Sequence, residues 1–398
     1  MSAPSSAPRV LVLTHSLSPV DGVGVYGANI LRYLAPLCGG IEVLLGRKHR
    51  GLAPELPREG LTVLPVLPSD HFPFLSLPKL AWLLLTSLPM LVRAARRADV
   101  VHSFSDYPLG WVATLVGWLA GRPVLVSCHG TYAVTPTRMP VHRRLIHWMY
   151  ARADRVLLGA HYAMGKLNEV ASPRAAEVVP YGCVPSDYDA RAARGERPGV
   201  PTPYLLTVGE VKQRKGHHTS LPAFLEAWRQ RPDMHYAIVG RFVDDDPYYL
   251  ALQAQVQAAG AQQHVHFLGN VSQERKVALM RGCQAFMLTP NTSDEGGFEA
   301  FGLVYLEAGA AGRPILGVRQ SGAEDAVLEG RNGSLCDAGD VAGLAQAVGR
   351  LFSEPGLADE QGAAGRAIAE ERTWEAAARR VFALYQELRA PPGVLGER

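Results

Sequence analysis

Two glutamates, Glu299 and Glu307, are separated by seven residues in the segment EAFGLVYLE. A carboxylate accepts hydrogen bonds on both oxygens, which suits the paired hydroxyls of a sugar. Phe301, Gly302 and Leu303 form the turn between the two, and a helix is predicted to start there. The first carboxylate then lies in a loop at a strand end, and the second projects from the helix about two turns on, towards the same cleft. Backbone N–H groups at such a helix start suit phosphate or sugar oxygens. A pair of glutamates on a helix is most often solvated charge; the flanking DEGGF and LEAGAAGRPIL give this pair its weight.

Near the other end, Gly22, Gly24 and Gly27 spell G-x-G-x-x-G, the form of a dinucleotide fingerprint. The motif begins eight residues after Thr14 instead of at a strand end, and Arg47 and Lys48 stand where an acidic residue would bind a ribose. Those two bases would suit a 2′-phosphate, which keeps an NADP reductase as a minor reading. Alternatively, Gly22 and Gly24 form a loop at a helix N-terminus that lets backbone N–H groups approach a diphosphate or an acceptor. The bland alternative is a glycine-rich turn without a ligand. His129 lies just after a strand end, where a lone histidine is more often a hydrogen-bonded structural residue than a catalytic one.

These residues need a scaffold, and the chain spells one twice. Apolar runs at Val10–Leu13, Ile41–Leu45, Leu61–Val66, Val100–Ser103, Pro123–Ser127, Arg155–Leu158 and Glu177–Pro180 alternate with helical stretches. That is the pattern of a parallel sheet covered on both faces. The polar stretch 188–203, rich in Pro, Gly and Arg, reads as a linker. The alternation restarts with strands at Tyr204–Val208, His235–Val239, His264–Leu268, Ala285–Leu288 and Pro314–Val318, and closing helices at Ala342–Phe352 and Trp374–Leu388. The expectation is an α/β protein of two Rossmann-like domains facing across a cleft: residues 1–187, then 204–372, with a helix at 373–398 for which packing back on the first domain is an open alternative. Ligands of such sheets bind at the carboxyl ends of the strands.

The 398 residues are 47% hydrophobic and 19% charged, the composition of a folded chain and not a disordered one. The net charge is +3, but residues 1–187 carry 18 Lys and Arg against 11 Asp and Glu, an excess of +7, and the remainder 22 against 26, or −4. A basic first half suits an anionic partner such as phosphate or an acidic membrane surface, with ordinary scatter as the alternative. No nucleic-acid partner is expected. Cys38, Cys128, Cys183, Cys283 and Cys336 are scattered and form no C-x-x-C pair, so reduced cytosolic thiols are expected. The N-terminal residues 1–9 lack the apolar core of a signal peptide. Phe72–Val92 is strongly apolar but interrupted by Pro73, Pro78, Lys79 and Pro89, which favours a buried or interfacial helix over a transmembrane one. Asp244, Asp245 and Asp246 contain an Asp-x-Asp pattern, but precede Pro247 and a helical stretch and read as a solvated helix N-terminus.

The segments together resemble glycosyltransferase family 4, a retaining family with the GT-B fold, over nearly the whole chain. VGEVKQRKG (208–216) resembles the family's diphosphate loop, FLGNVS (267–272) its base-binding loop, and EAFGLVYLEAGAAGRPI its Glu-to-Glu motif. SGAEDAVLEGRNG (321–333) resembles the strand and helix that follow, DGVGVYGANI the first-domain glycine loop, and SCHGTYA (127–133) the histidine segment. The resemblance implies that Lys215 binds the donor diphosphate with Arg214 beside it, stabilising the leaving group. It implies that Glu299 holds the donor-sugar hydroxyls together with the Phe301, Gly302 and Leu303 backbone, that Glu307 holds the ribose, and that Val271 meets the base through its backbone. Gly22 would approach the phosphates and His129 the reacting sugar. Two departures stand out. Glu210 occupies a position where the family often has Arg, and should point away from the phosphates, with Lys212 or Arg214 compensating. Asp21 replaces one glycine of the first loop, to meet an acceptor or to cap the helix.

The resulting expectation is a retaining, metal-independent transferase moving a hexose-type sugar from a nucleotide diphosphate to a hydroxyl acceptor, either lipid-linked or a growing glycan. No cofactor is expected, because the nucleotide sugar is a substrate. The expected location is cytoplasmic, with peripheral contact to the membrane face as a further expectation. A nucleotide-sugar epimerase of the same fold and a non-catalytic sugar-nucleotide binder are the alternatives.

Overall fold

A computed structural model describes residues 7–18, 21–47, 56–57, 59–67, 77–292 and 296–389. Lys48, residues 72–76 of the apolar segment, Asp294 and Glu295 of DEGGF, and residues 390–398 lie outside the described residues. The chain divides into two compact units, Met1–Tyr181 with Trp374–Arg398, and Gly182–Thr373.

In the first unit the order is β1 (Arg9–Thr14), α1 (Gly22–Leu34), β2 (Gly40–Gly46), β3 (Leu61–Leu67), α2 (Leu77–Arg97), β4 (Val100–Ser103), α3 (Leu109–Ala120), β5 (Val124–Cys128), α4 (Thr131–Val134), α5 (Pro140–Arg152), β6 (Arg155–Leu158), α6 (His161–Asn168) and β7 (Ala176–Val178). The seven strands are parallel, in the order β3-β2-β1-β4-β5-β6-β7. Central strands β4 and β5 are buried throughout, which is why they read as continuous apolar runs instead of alternating ones. The order reverses between β1 and β4, so the loops after these two strands part and leave a crevice at their carboxyl ends.

The second unit repeats the plan: β8 (Tyr204–Val208), α7 (His217–Gln230), β9 (His235–Val239), α8 (Pro247–Ala258), β10 (Val265–Gly269), α9 (Gln273–Gly282), β11 (Ala285–Met287), α10 (Leu303–Ala310), β12 (Ile315–Val318), β13 (Gly333–Cys336), α11 (Val341–Ser353) and α12 (Leu357–Glu371). Its six parallel strands run β10-β9-β8-β11-β12-β13, with the reversal between β8 and β11. Leu205, Phe224, Tyr236, Ile238, Met287, Leu316 and Val348 are among the side chains that fill its core. Strand β13 and helix α12 have no counterpart in the sequence reading, because GSLC is short and α12 is largely polar and small.

The unit boundary falls at 181/182 instead of 187, and residues 188–203 belong to the second unit. Their composition is that of a linker, yet Tyr188 is buried. Arg366 Nη1 donates to Asp189 at 2.8 Å and to the Pro185 carbonyl at 3.1 Å, and Arg281 donates to the Tyr188 carbonyl at 3.1 Å. The last helix, α13 (Trp374–Arg389), lies in the first unit against α1. Its Tyr385 hydroxyl meets His102 Nδ1 at 2.6 Å, and His102 Nε2 meets the Ser127 hydroxyl at 2.8 Å. Asp246 caps α8 by accepting the Tyr248 and Tyr249 N–H groups.

Helix α2 divides the two expectations for the apolar segment between its faces. Leu80, Leu83, Ser87 and Leu91 are buried against the first unit, whereas Trp82 is 63% and Leu85 79% exposed. By length and composition alone the helix could cross a membrane, but this is an amphipathic helix with one face in the core.

Candidate functional site

In the second unit the parting loops after β8 and β11 carry the charged groups. Strand β8 ends at Val208, and the chain passes through a single 3-10 turn, Gln213–Lys215, before α7. Gly216 joins the turn to the helix at φ 75°, in the left-handed region, and a Cβ there would lie 1.5 Å from the Thr289 carbonyl oxygen. Thr289 Oγ1 donates to the Gly216 carbonyl at 2.8 Å, and the Asn291 N–H donates to the Arg214 carbonyl at 3.0 Å. The loop after β11 therefore grips the turn that carries Arg214 and Lys215.

The same loop delivers Glu299. Its Oε2 accepts from Lys215 Nζ and from Arg214 Nη1, both at 2.6 Å. The side chains of Glu299 and Lys215 are only 13% and 16% exposed. Burial works against the charged carboxylate, but the two cations and their hydrogen bonds outweigh it and hold the Glu299 carboxyl below its ordinary range. The Glu299 carbonyl accepts from the Gly322 N–H at 2.9 Å, and a Cβ on Gly322 would stand 2.3 Å from the Phe301 backbone nitrogen. Gly322, within SGAED, is thus a support that sequence reasoning did not single out.

Gly302 caps α10 at φ 77°, and Leu303 opens that helix. Phe301 is buried, so what it and Gly302 can offer a ligand is backbone. Glu307 follows one turn inside α10, which begins at Leu303, within the expected turn. Its Oε2 accepts from Lys276 Nζ at 3.0 Å, and Lys276 lies over the Tyr188 ring at 5.8 Å. The two glutamates thus hold separate cations, Glu299 two and Glu307 one. Lys276 and Tyr188 carried no signal in the sequence, one in an ordinary charged helix and one beside the apparent linker. Val271 occupies the short link between β10 and α9, partly buried, with Ser272 capping α9.

Glu210 is tied to Lys212 Nζ at 2.6 Å and to Arg241 at 3.2 Å. Burial raises its carboxyl and these two cations bring it below the ordinary range. Its charge is therefore spent on Lys212 and Arg241, and Arg214 is engaged by Glu299 instead.

In the first unit, Gly22 opens α1 and is exposed, with no atom of the described residues within 4 Å of where a Cβ would stand. Gly24 is different: its Cβ would lie 2.1 Å from the Ser18 carbonyl oxygen. Asp21 caps the helix through the Gly24 N–H at 2.8 Å and also accepts from the Ser16 hydroxyl. His129 lies at the end of β5, partly buried. Its Nδ1 meets the Tyr181 hydroxyl at 2.7 Å and its Nε2 meets the Phe104 carbonyl at 2.9 Å. A carbonyl only accepts, so Nε2 carries the proton and Nδ1 accepts from Tyr181. Burial lowers the His129 pKa to about 4, so the ring is neutral near pH 7. Its backbone N–H donates to the buried Asp106 carboxyl at 2.9 Å, and burial pushes that carboxyl up to about 7. Beside them, His15 Nδ1 lies 2.7 Å from the Ser105 hydroxyl.

The structure thus brings Arg214, Lys215 and Glu299 into one cluster, places Glu307 on the short helix α10 that follows Glu299, with its own cation, and sets Gly22 and His129 in the first unit. Among the described residues no group of three or more His, Cys, Asp or Glu is arranged to hold a metal ion.

Residues 193–368 match the family described as Glycosyl transferases group 1, and residues 21–182 match the Glycosyl transferase 4-like domain. A GDP-mannose-dependent alpha-(1-6)-phosphatidylinositol monomannoside mannosyltransferase of Mycolicibacterium smegmatis is 32% identical over 266 residues, spanning 65% of this chain and 68% of that protein. A glycogen synthase of Mycobacterium tuberculosis is 26% identical over 95% of this chain and 94% of its own length. Among solved structures, Anabaena HepE in complex with UDP superposes with a TM-score of 0.75 at 18% identity, covering 95% of this chain and all of that one.

Proposed function

The chain belongs to the glycosyl transferases of group 1, the GT4-like glycosyltransferases with the GT-B fold, and from that premise we propose that it moves a hexose from a nucleoside diphosphate sugar to a hydroxyl acceptor, with retention and without a metal. The observation that carries this reading is the convergence of Lys215 and Arg214 on Glu299 at the strand ends β8 and β11. Two cations beside a carboxylate offer a diphosphate its counter-charges and a sugar its hydroxyl acceptor in adjoining places. In this reading Lys215 and Arg214 take the diphosphate, Glu299 and the backbone of Phe301, Gly302 and Leu303 take the sugar, Glu307 takes the ribose and Val271 the base.

The step is a front-face displacement. The bond from the anomeric carbon to the diphosphate oxygen breaks, the acceptor oxygen bonds to that carbon on the same face, and the acceptor proton passes to the departing phosphate oxygen. The protein contributes orientation and fixed positive charge, since the leaving group serves as the base. In this reading His129 stays neutral and meets the reacting sugar by exchanging one of its two ring hydrogen bonds, to Tyr181 or to the Phe104 carbonyl, for one to the sugar. No cofactor is required.

GDP-mannose is the first donor to test, because the 32% identical relative is named for it. That relative also suggests a lipid-linked acceptor. The exposed Trp82 and Leu85 of α2, followed by Arg93 and Arg96, suit an acidic membrane surface on the cytoplasmic side. Incubation with GDP-, UDP- and ADP-sugars and lipid-linked or soluble acceptors tests the function. Transfer with the anomeric configuration kept is expected, and isomerisation of the donor without transfer would refute it. Co-sedimentation with anionic vesicles at low salt tests the membrane contact, which equal partitioning with neutral vesicles would exclude.

A further inference from the structure

One oxygen, Glu299 Oε2, takes both cations of the 213–215 turn, each at 2.6 Å. This geometry makes the carboxylate and a diphosphate contenders for the same two charges. Charge-assisted hydrogen bonds of this length are among the stronger ones in proteins, and the one from Lys215 is largely shielded from solvent. We propose that Glu299 is a competitor of the diphosphate for Lys215 and Arg214, drawn off by the sugar of the donor and returned when the sugar has been transferred.

The inference rests on the reading that Lys215 and Arg214 bind the diphosphate. When a sugar accompanies the diphosphate, its hydroxyls donate to the carboxylate and replace the hydrogen bonds that the cations gave it. When the sugar has gone, the carboxylate has no other donors of that strength among the described residues and goes back to Lys215 and Arg214. The spent nucleotide then loses part of its counter-charge while the intact donor does not. Glu299 thereby discriminates the donor from its own product and speeds product departure, a role separate from holding the sugar. Arg214, at 35% exposure, keeps part of its guanidinium open to the ligand, so exchange requires no opening of the core.

Inorganic pyrophosphate isolates the effect, since it carries the diphosphate with neither base nor sugar. Titration calorimetry of the full chain is expected to show about tenfold tighter pyrophosphate binding for Glu299→Gln than for wild type, about 1.4 kcal/mol. Adding Lys215→Ala should remove that gain. Glu299→Asp, one methylene shorter, should fall between the two and serves if the glutamine variant fails to fold. Equal or weaker binding by a folded Glu299→Gln, with wild type binding through Lys215, would overturn the competition and leave the donor assignment standing. Pyrophosphate and nucleoside diphosphate affinities that do not change in Lys215→Ala would overturn the assignment itself.

Discussion

Replacing Gly216 by alanine isolates the turn that positions the two cations. At φ 75° an alanine is strained by about 1–2 kcal/mol. The larger effect is steric: the new Cβ would start 1.5 Å from the Thr289 carbonyl oxygen, and contacts under 3.0 Å are essentially unknown for real Cβ atoms. The turn must move by about 1.5 Å or the β11 loop must yield, and Lys215 is the adjacent residue. A misplacement of about 1 Å in a positioning group costs about 10²-fold in rate. Gly216→Ala is therefore expected to lower turnover about a hundredfold, to weaken nucleoside diphosphate binding in calorimetry at least tenfold, and to lower Tm by several degrees. Gly22→Ala is the contrast, because among the described residues nothing lies within 4 Å of its Cβ position and it already opens a helix. It should leave Tm unchanged, so any loss of activity there reports a ligand approaching the backbone. Wild-type binding and turnover in folded Gly216→Ala would refute the claim that this turn sets the site.

Lys215→Ala should weaken nucleoside diphosphate binding by about 10–100-fold, the range of a lost charge-assisted contact; unchanged affinity by calorimetry would sink the assignment. Glu307→Ala should weaken the free nucleotide, whereas Glu299→Ala should act on turnover; equal loss of nucleotide affinity in both would overturn the division between ribose and sugar. Activity should persist in EDTA, and a loss that Mg²⁺ or Mn²⁺ restores would overturn the metal-free reading. Acid should destabilise the fold. Burial lowers His102 to about 3, with the His129 charge adding to it, and lowers His129 and His217 to about 4, from ordinary values of 6.5. Their stabilisation is intact above pH 6.5 and is lost as pH falls towards 4, because the unfolded chain protonates first. Asp106, raised by burial to about 7, opposes one of these three protons between its ordinary 3.8 and 7. The net is one proton in the first unit and one, that of His217, in the second, or up to about 1.4 kcal/mol per pH unit in each, a noticeable share of a domain's stability. A Tm that stays flat from pH 7 to 5 would contradict it.

The local chemistry was legible because it is local. Continuous apolar runs such as VLVSC are what a strand buried on both faces must contain, and their alternation with helices indicates two parallel sheets from the sequence alone. The Glu299 to Glu307 spacing, the Phe301–Leu303 turn and the Lys215 segment were readable as short motifs. Element ends and weak elements were not: β13 has four residues, and α12 lacks a strong apolar stripe. Residues 188–203 have the polar composition of a linker, and it takes long-range bonds such as those to Arg281, Arg366 and Glu274 to bind this region into the second unit. Likewise, nothing in WEAAARRVFALYQELR says which sheet it covers. That is decided by Tyr385 meeting His102, 283 residues away in the chain. The partners of the charged residues belong to the same class. Sequence types a lysine or a glutamate, but which oxygen meets which nitrogen depends on where the loops after β8 and β11 are brought together. The pairs Lys215–Glu299, Lys276–Glu307 and Arg241–Glu210, and the two hydrogen bonds that hold His129 neutral, are therefore properties of the folded chain, because each joins residues from different elements, strand ends or the neighbouring helices α9 and α10, that only the sheet order brings together.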